Sequence, residues 1–125
     1  MPSFDNKEIN VDDIVYQIVP NSTDPKDIHL RPCKVLDVSQ KGRIELLFLD
    51  SEGKLGTWND RCANVCVDPE FLINHWLEFL NKDMTITLPL RIERLSSPEF
   101  LQESKDKLTE LLHITGKELQ EDVEI

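Results

Sequence analysis

The chain has 125 residues, 39% hydrophobic and 30% charged, with a net charge of −10. That balance fits one soluble domain with a substantial core and excludes a disordered or collagen-like chain. No apolar run approaches the roughly 18 residues of a membrane span, and the first residues lack the basic and apolar regions of a secretory signal, so the reading is a cytoplasmic, intracellular protein with no membrane partner.

The acidity is concentrated at the two ends: residues 1–30 carry −4, 31–66 carry +1, 67–96 carry −2 and 97–125 carry −5. A surface of that sign argues against binding nucleic acid or an anionic membrane with the whole molecule. Cys33, Cys62 and Cys66 make an odd count without an export signal, which argues against a disulfide framework. No metal site is expected, because Cys62 and Cys66 in an extended chain lie about 13 Å apart, too far to share an ion.

In chain order, residues 1–10 are polar and without period and read as a leader that is either loose or ordered on contact. Val11–Val19 is β-branched and aromatic and predicts a strand, with Asp12-Asp13 in the turn before it. Pro20–Asp27 holds almost only turn formers and predicts a long surface loop, in which His29 is also placed. Cys33–Val38 and Arg43–Leu49 flank Ser39-Gln40-Lys41-Gly42, a hairpin pattern. Asp50–Gly53 is a second turn, Lys54–Trp58 returns antiparallel, and Arg61–Val67 alternates as a fifth strand. Five short strands with tight links fit a small barrel, since closure removes exposed edges.

The period then changes. Asp68-Pro69-Glu70 opens a helix: Asp68 caps, Pro69 sits where a missing N–H costs nothing, and Glu70 meets the positive end of the dipole. Ser97-Pro98-Glu99 repeats that opening for a second helix, whose stripe runs through Leu101, Leu108, Leu111 and Leu112 and which Gly116 is expected to stop near His113. Between the two, Met84–Leu95 alternates as an extended edge strand or arm around Pro89. Lys117–Ile125 reads as an acidic tail. The expected fold is therefore α+β: an N-terminal five-stranded barrel over residues 1–67, then a helix, extended-arm and helix extension over 68–125 that packs on it as one structural unit.

Arg31–Val38, a Gly turn and Ile44–Lys54 together resemble the central hairpin of the Tudor-like, SH3-like barrels. That resemblance implies a five-stranded barrel that binds a peptide, often a methylated Lys or Arg, among aromatic rings. Ser51 stands where a cage member is usually aromatic, and Lys54 where a small polar residue is usual. Tyr16, Phe48 and Trp58 are the aromatic residues left in the barrel, with Phe48 facing the core by the parity of Ile44, Leu46 and Phe48.

The function expected is a non-enzymatic, protein-binding adaptor or regulatory module. Tyr16 and Trp58 are its anchors, Asp50 and Glu52 its orienting charges, and the Leu101-Leu108-Leu112 stripe a partner or dimer face. A homodimer through Thr85–Leu95 or through the second helix is a further expectation. The alternative is an acidic inhibitor or nucleic-acid mimic carried by Glu118, Glu121, Asp122 and Glu124. A third reading has Arg31, Lys34, Lys41, Arg43, Lys54 and Arg61 touch nucleic acid. No catalytic residue or cofactor is assigned: His29, His75 and His113 share no motif with a cysteine, and no Gly-rich phosphate loop is present.

Overall fold

The computed structural model describes residues 2–20, 23–24, 27–50, 52–82 and 88–123. Four strands, β1 (Ile14–Pro20), β2 (Ile28–Val38), β3 (Arg43–Leu49) and β4 (Leu55–Arg61), form an antiparallel sheet in sequential order. A 3₁₀ turn at Cys62–Asn64 leads to three helices, α1 (Pro69–Lys82), α2 (Leu88–Ser96) and α3 (Pro98–Val123), so the class is α+β. None of the described helices is long and apolar enough to cross a membrane.

The hairpin forms as its pattern requires, with Gly42 at φ 81°, a left-handed value that glycine adopts without strain. The fifth strand does not form. Arg61 ends β4, the 3₁₀ turn follows, and only Cys66 pairs onward, as a single backbone bridge to Tyr16. The next two backbone N–H groups are taken by one carboxylate: Asp5 accepts Val67 N at 3.2 Å and Asp68 N at 2.8 Å. Those donors are then lost to a ladder, and the segment turns into α1. Of the two readings of the leader, the structure has the one ordered on contact. Phe4 N donates to Val65 O at 2.8 Å, Asp12 N to Val35 O at 2.8 Å, and Ile9 is buried in the core.

Strand parity divides the sheet into two faces, each with its own apolar cluster. Val15, Cys33, Val35, Ile44 and Leu46 point to the inner face, which Ile9, Cys62 and Val65 cover. Ile28, Leu30, Tyr16 and Ile18 point outward, where Leu72 and Ile73 of α1, Ile92 and Leu95 of α2 and Phe100 of α3 pack on them. The sheet is strongly curled. Gln17 of β1 donates to Asp60 of β4 at 2.7 Å, although those strands would stand about 14 Å apart in a flat sheet.

Both helix openings are built as their residues dictate: Asp68 Oδ1 accepts Glu70 N at 3.0 Å, and Ser97 Oγ accepts Glu99 N at 3.2 Å. Three other expectations are corrected. Residues 88–96 are helical rather than an extended arm, because Pro89 falls in the first turn, where no N–H is needed, and Leu88, Ile92 and Leu95 also satisfy helical spacing. The rest of that expected strand, 84–87, lies outside the described residues. α3 runs through Gly116 to Val123, since one glycine costs about 1 kcal/mol and the helix formers Lys117–Gln120 resume at once. His29 lies in β2, paired with Val19, not in the loop.

Candidate functional site: the open face of the curled sheet

β4 is an edge strand, and Gly56, Trp58 and Asp60 share its inner face, opposite Phe48, Leu46 and Ile44 of β3. Asp60 closes the curl. Its Oδ2 accepts from Gln17 Nε2, while its Oδ1 accepts Arg61 N and Asn64 Nδ2, both at 2.8 Å. Gln17 Oε1 in turn accepts Arg31 Nη2 at 2.8 Å and faces the Cys33 thiol at 3.6 Å. A buried amide thus links a carboxylate on β4 to a guanidinium on β2, with both ends of Gln17 satisfied.

The Arg31 guanidinium lies 3.9 Å above the Phe48 ring centroid, a cation–π contact. On the adjoining strand the Phe48 ring lies against Gly56, where a Cβ would come within 3.1 Å of Phe48 Cζ. Glycine here makes room for an aromatic ring. Beyond this stack opens a cavity of about 440 Å³, walled by Val19 and Phe48 with Arg31, His29 and Lys107 as bases and Asp50 as an acid. Trp58 remains 57% exposed because no described strand pairs with the far side of β4.

The thiols lie within the core and are held protonated. Burial pushes Cys33 to about 11 against the lowering pull of Arg31, and burial with the Asp5 charge pushes Cys66 to about 12. Burial raises Cys62 as well. His29 is hydrogen-bonded through Nε2 to Asp27 at 2.7 Å, and its Nδ1 lies 3.9 Å from Glu103, which also pairs with Arg94. Among the described residues no group of three or more His, Cys, Asp or Glu side chains converges to hold a metal ion.

The expected anchors are not brought together. Tyr16 is half-buried on the outer face among residues that contact the helices, whereas Trp58 is on the inner face. Asp50 is a turn residue, with Oδ1 accepting Glu52 N at 2.8 Å and Lys54 N at 2.9 Å, although it also borders the cavity. Glu52 pairs with Lys54 at 3.4 Å, both exposed. Leu101 packs against the helix-side core and Leu108 is half-buried, leaving Leu112 exposed. Leu111 of the expected stripe is buried, in a row with Phe100, Ser104 and Thr115. Glu118, Glu121 and Asp122 lie on the α3 backbone, and Glu124 is outside the described residues.

Gln17 and Asp60 are not among the expected site residues, and Arg31 is expected only as a nucleic-acid contact. The signal was parity: Gln17 alternates with Val15, and Arg31 with Cys33 and Val35, which puts polar groups on an apolar face. Comparison with protein-family models, with curated proteins and with solved structures gives no significant match.

Proposed function

We propose that the chain is a protein-binding module that holds a partner segment along the open face and edge of its curled sheet and carries out no chemistry of its own. The observation that carries this reading is Trp58: an indole 57% exposed on an edge strand, next to a rigid polar network. Exposed aromatic residues on such a base dominate interface energetics, because they bury large area with few rotatable bonds. β4 also presents backbone N–H and C=O groups on its far side, so an extended peptide laid beside it would gain a ladder while a side chain entered the cavity by Phe48. The buried, protonated thiols support a binding rather than a nucleophilic role.

The finer architecture belongs to the same proposal. The Tyr16–Cys66 bridge and the Gln17–Asp60 bond support a barrel-like closure in which the fifth strand is reduced to one residue. The Tudor-like, SH3-like resemblance fits that closure and implies a peptide held among aromatic rings, of which Trp58 is the exposed one. The test is affinity capture with crosslinking, using wild type, Trp58→Ala and a chain lacking residues 117–125. Trp58→Ala should weaken partner capture roughly thirtyfold, and the truncation should leave it intact. Loss on truncation with full capture by Trp58→Ala would overturn this reading in favour of an acidic inhibitor acting through Glu118, Glu121, Asp122 and Glu124.

A further inference from the structure

α1 is apolar on more than its core face. Leu72, Ile73, Trp76 and Leu77 pack inward, yet Phe71, His75 and Phe79 follow at four-residue steps and fall within an arc of about 80° on another side. Phe71 is 44% exposed and Phe79 61%. Phe4, itself 42% exposed, extends the stripe sideways. Its ring lies 6.0 Å from Phe71 and 4.5 Å from His75, edge-on to both. Phe4 cannot drift away, because its N–H is bonded to Val65 O and Asp5 beside it clamps the start of α1. The result is a fixed aromatic ridge a little over two turns long, left exposed in the described chain. Contiguous apolar surface of this kind marks an interaction site.

The charges around the ridge select the occupant. Segments 2–8 and 68–79 carry Asp5, Glu8, Asp68, Glu70 and Glu78 against Lys7 alone, and no Lys or Arg stands between Arg61 and Lys82. Such a rim repels nucleic acid and anionic lipid and attracts cations. The ridge offers side chains only, since the helix backbone is internally bonded. An extended segment laid on it would lose water from its amides without gaining partners, whereas a helix brings its own backbone satisfied.

We propose that the Phe4-Phe71-His75-Phe79 ridge seats a basic amphipathic helix of a protein partner, with that helix's apolar stripe on the phenylalanines and its Lys and Arg residues facing Asp5, Asp68, Glu70 and Glu78. This surface is built from elements other than the Trp58 face and goes beyond the proposal made for it.

The test is a binding titration of the full chain with a labelled model helix of Leu and Lys in amphipathic order, roughly 18 residues long. A peptide of the same composition in scrambled order and a Leu/Glu helix are measured in parallel. The ordered Leu/Lys helix should bind at least about tenfold more tightly than either, and Phe79→Ala should lose roughly tenfold. Phe71→Ala is a second variant, and thermal melting of both confirms folding. The double variant Glu70→Lys/Glu78→Lys should weaken binding several-fold, with Trp58→Ala unchanged. Equal binding of the scrambled peptide, undiminished binding by folded Phe79→Ala and Phe71→Ala, or a wild-type dimer that dissociates on Phe79→Ala would each overturn the proposal. The Trp58 reading stands or falls separately on partner capture.

Discussion

Replacing Gln17 by alanine tests what holds the curl. Gln17 is buried, and its side chain makes two bonds to charged groups, at 2.7 Å to Asp60 and at 2.8 Å from Arg31. A buried bond of that kind contributes about 1.5–3 kcal/mol, but Asp60 and Arg31 are only half-buried, so water recovers part of the loss. A total cost of about 2–3 kcal/mol follows, including the small void left by truncation. In urea titration, with a slope of roughly 1–3 kcal/mol per molar, the midpoint should fall by about 1–2 M. Gln17→Glu sharpens the test. It would retain a partner for Arg31 yet set a second carboxylate against Asp60, so it should be less stable than wild type at neutral pH and recover as the pair takes up a proton on acidification. A double-mutant cycle with Asp60→Ala should show positive coupling. Strict additivity, or a Gln17→Ala cost below about 0.5 kcal/mol, would refute the claim that this network joins the sheet edges.

Two further outcomes follow from the same core. Partial burial pushes the Asp5 carboxyl up, but hydrogen bonds from the Ser3 hydroxyl and the backbone of Asp68 and Val67 outweigh it and hold the group below its ordinary 3.8. A carboxyl lowered in the folded state adds stability that is present above the unfolded value and lost as pH falls through the folded one. Wild type should therefore lose stability below about pH 4 more steeply than Asp5→Asn, and parallel acid titrations monitored by circular dichroism would count against the clamp. The three cysteines should resist a disulfide exchange reagent at pH 8 in the native protein and react together in denaturant. Burial that raises Cys33 to about 11 and Cys66 to about 12 leaves little thiolate, so rapid native labelling would contradict the structure.

Much of the architecture was local and therefore legible. The Ser39–Gly42 turn, the Asp68-Pro69-Glu70 and Ser97-Pro98-Glu99 openings and the alternation of β3 are decided by neighbours within a few residues, where turn geometry and capping act. Where two local patterns competed, packing settled the outcome. Residues 88–95 satisfy both strand and helix periods, and the apolar surface waiting at Ile92 and Leu95 selects the helix. Gly116 is a weak stop whose cost the flanking helix formers exceed.

The chain by itself determined that there would be a β-rich first half, two capped amphipathic helices and a strongly acidic surface, because propensity, periodicity and charge are properties of short segments. Only tertiary structure decided that Asp5 would intercept the fifth strand, that Tyr16 and Trp58 would fall on opposite faces, that Gln17 would tie Asp60 to Arg31, and that Phe4 would lie beside Phe71 and His75. Each of those contacts joins residues at least fourteen positions apart or depends on the parity of a partner strand. Sequence pattern carries the period of a segment but not the depth of the surface it meets, and depth is what separates a buried clamp from an exposed anchor.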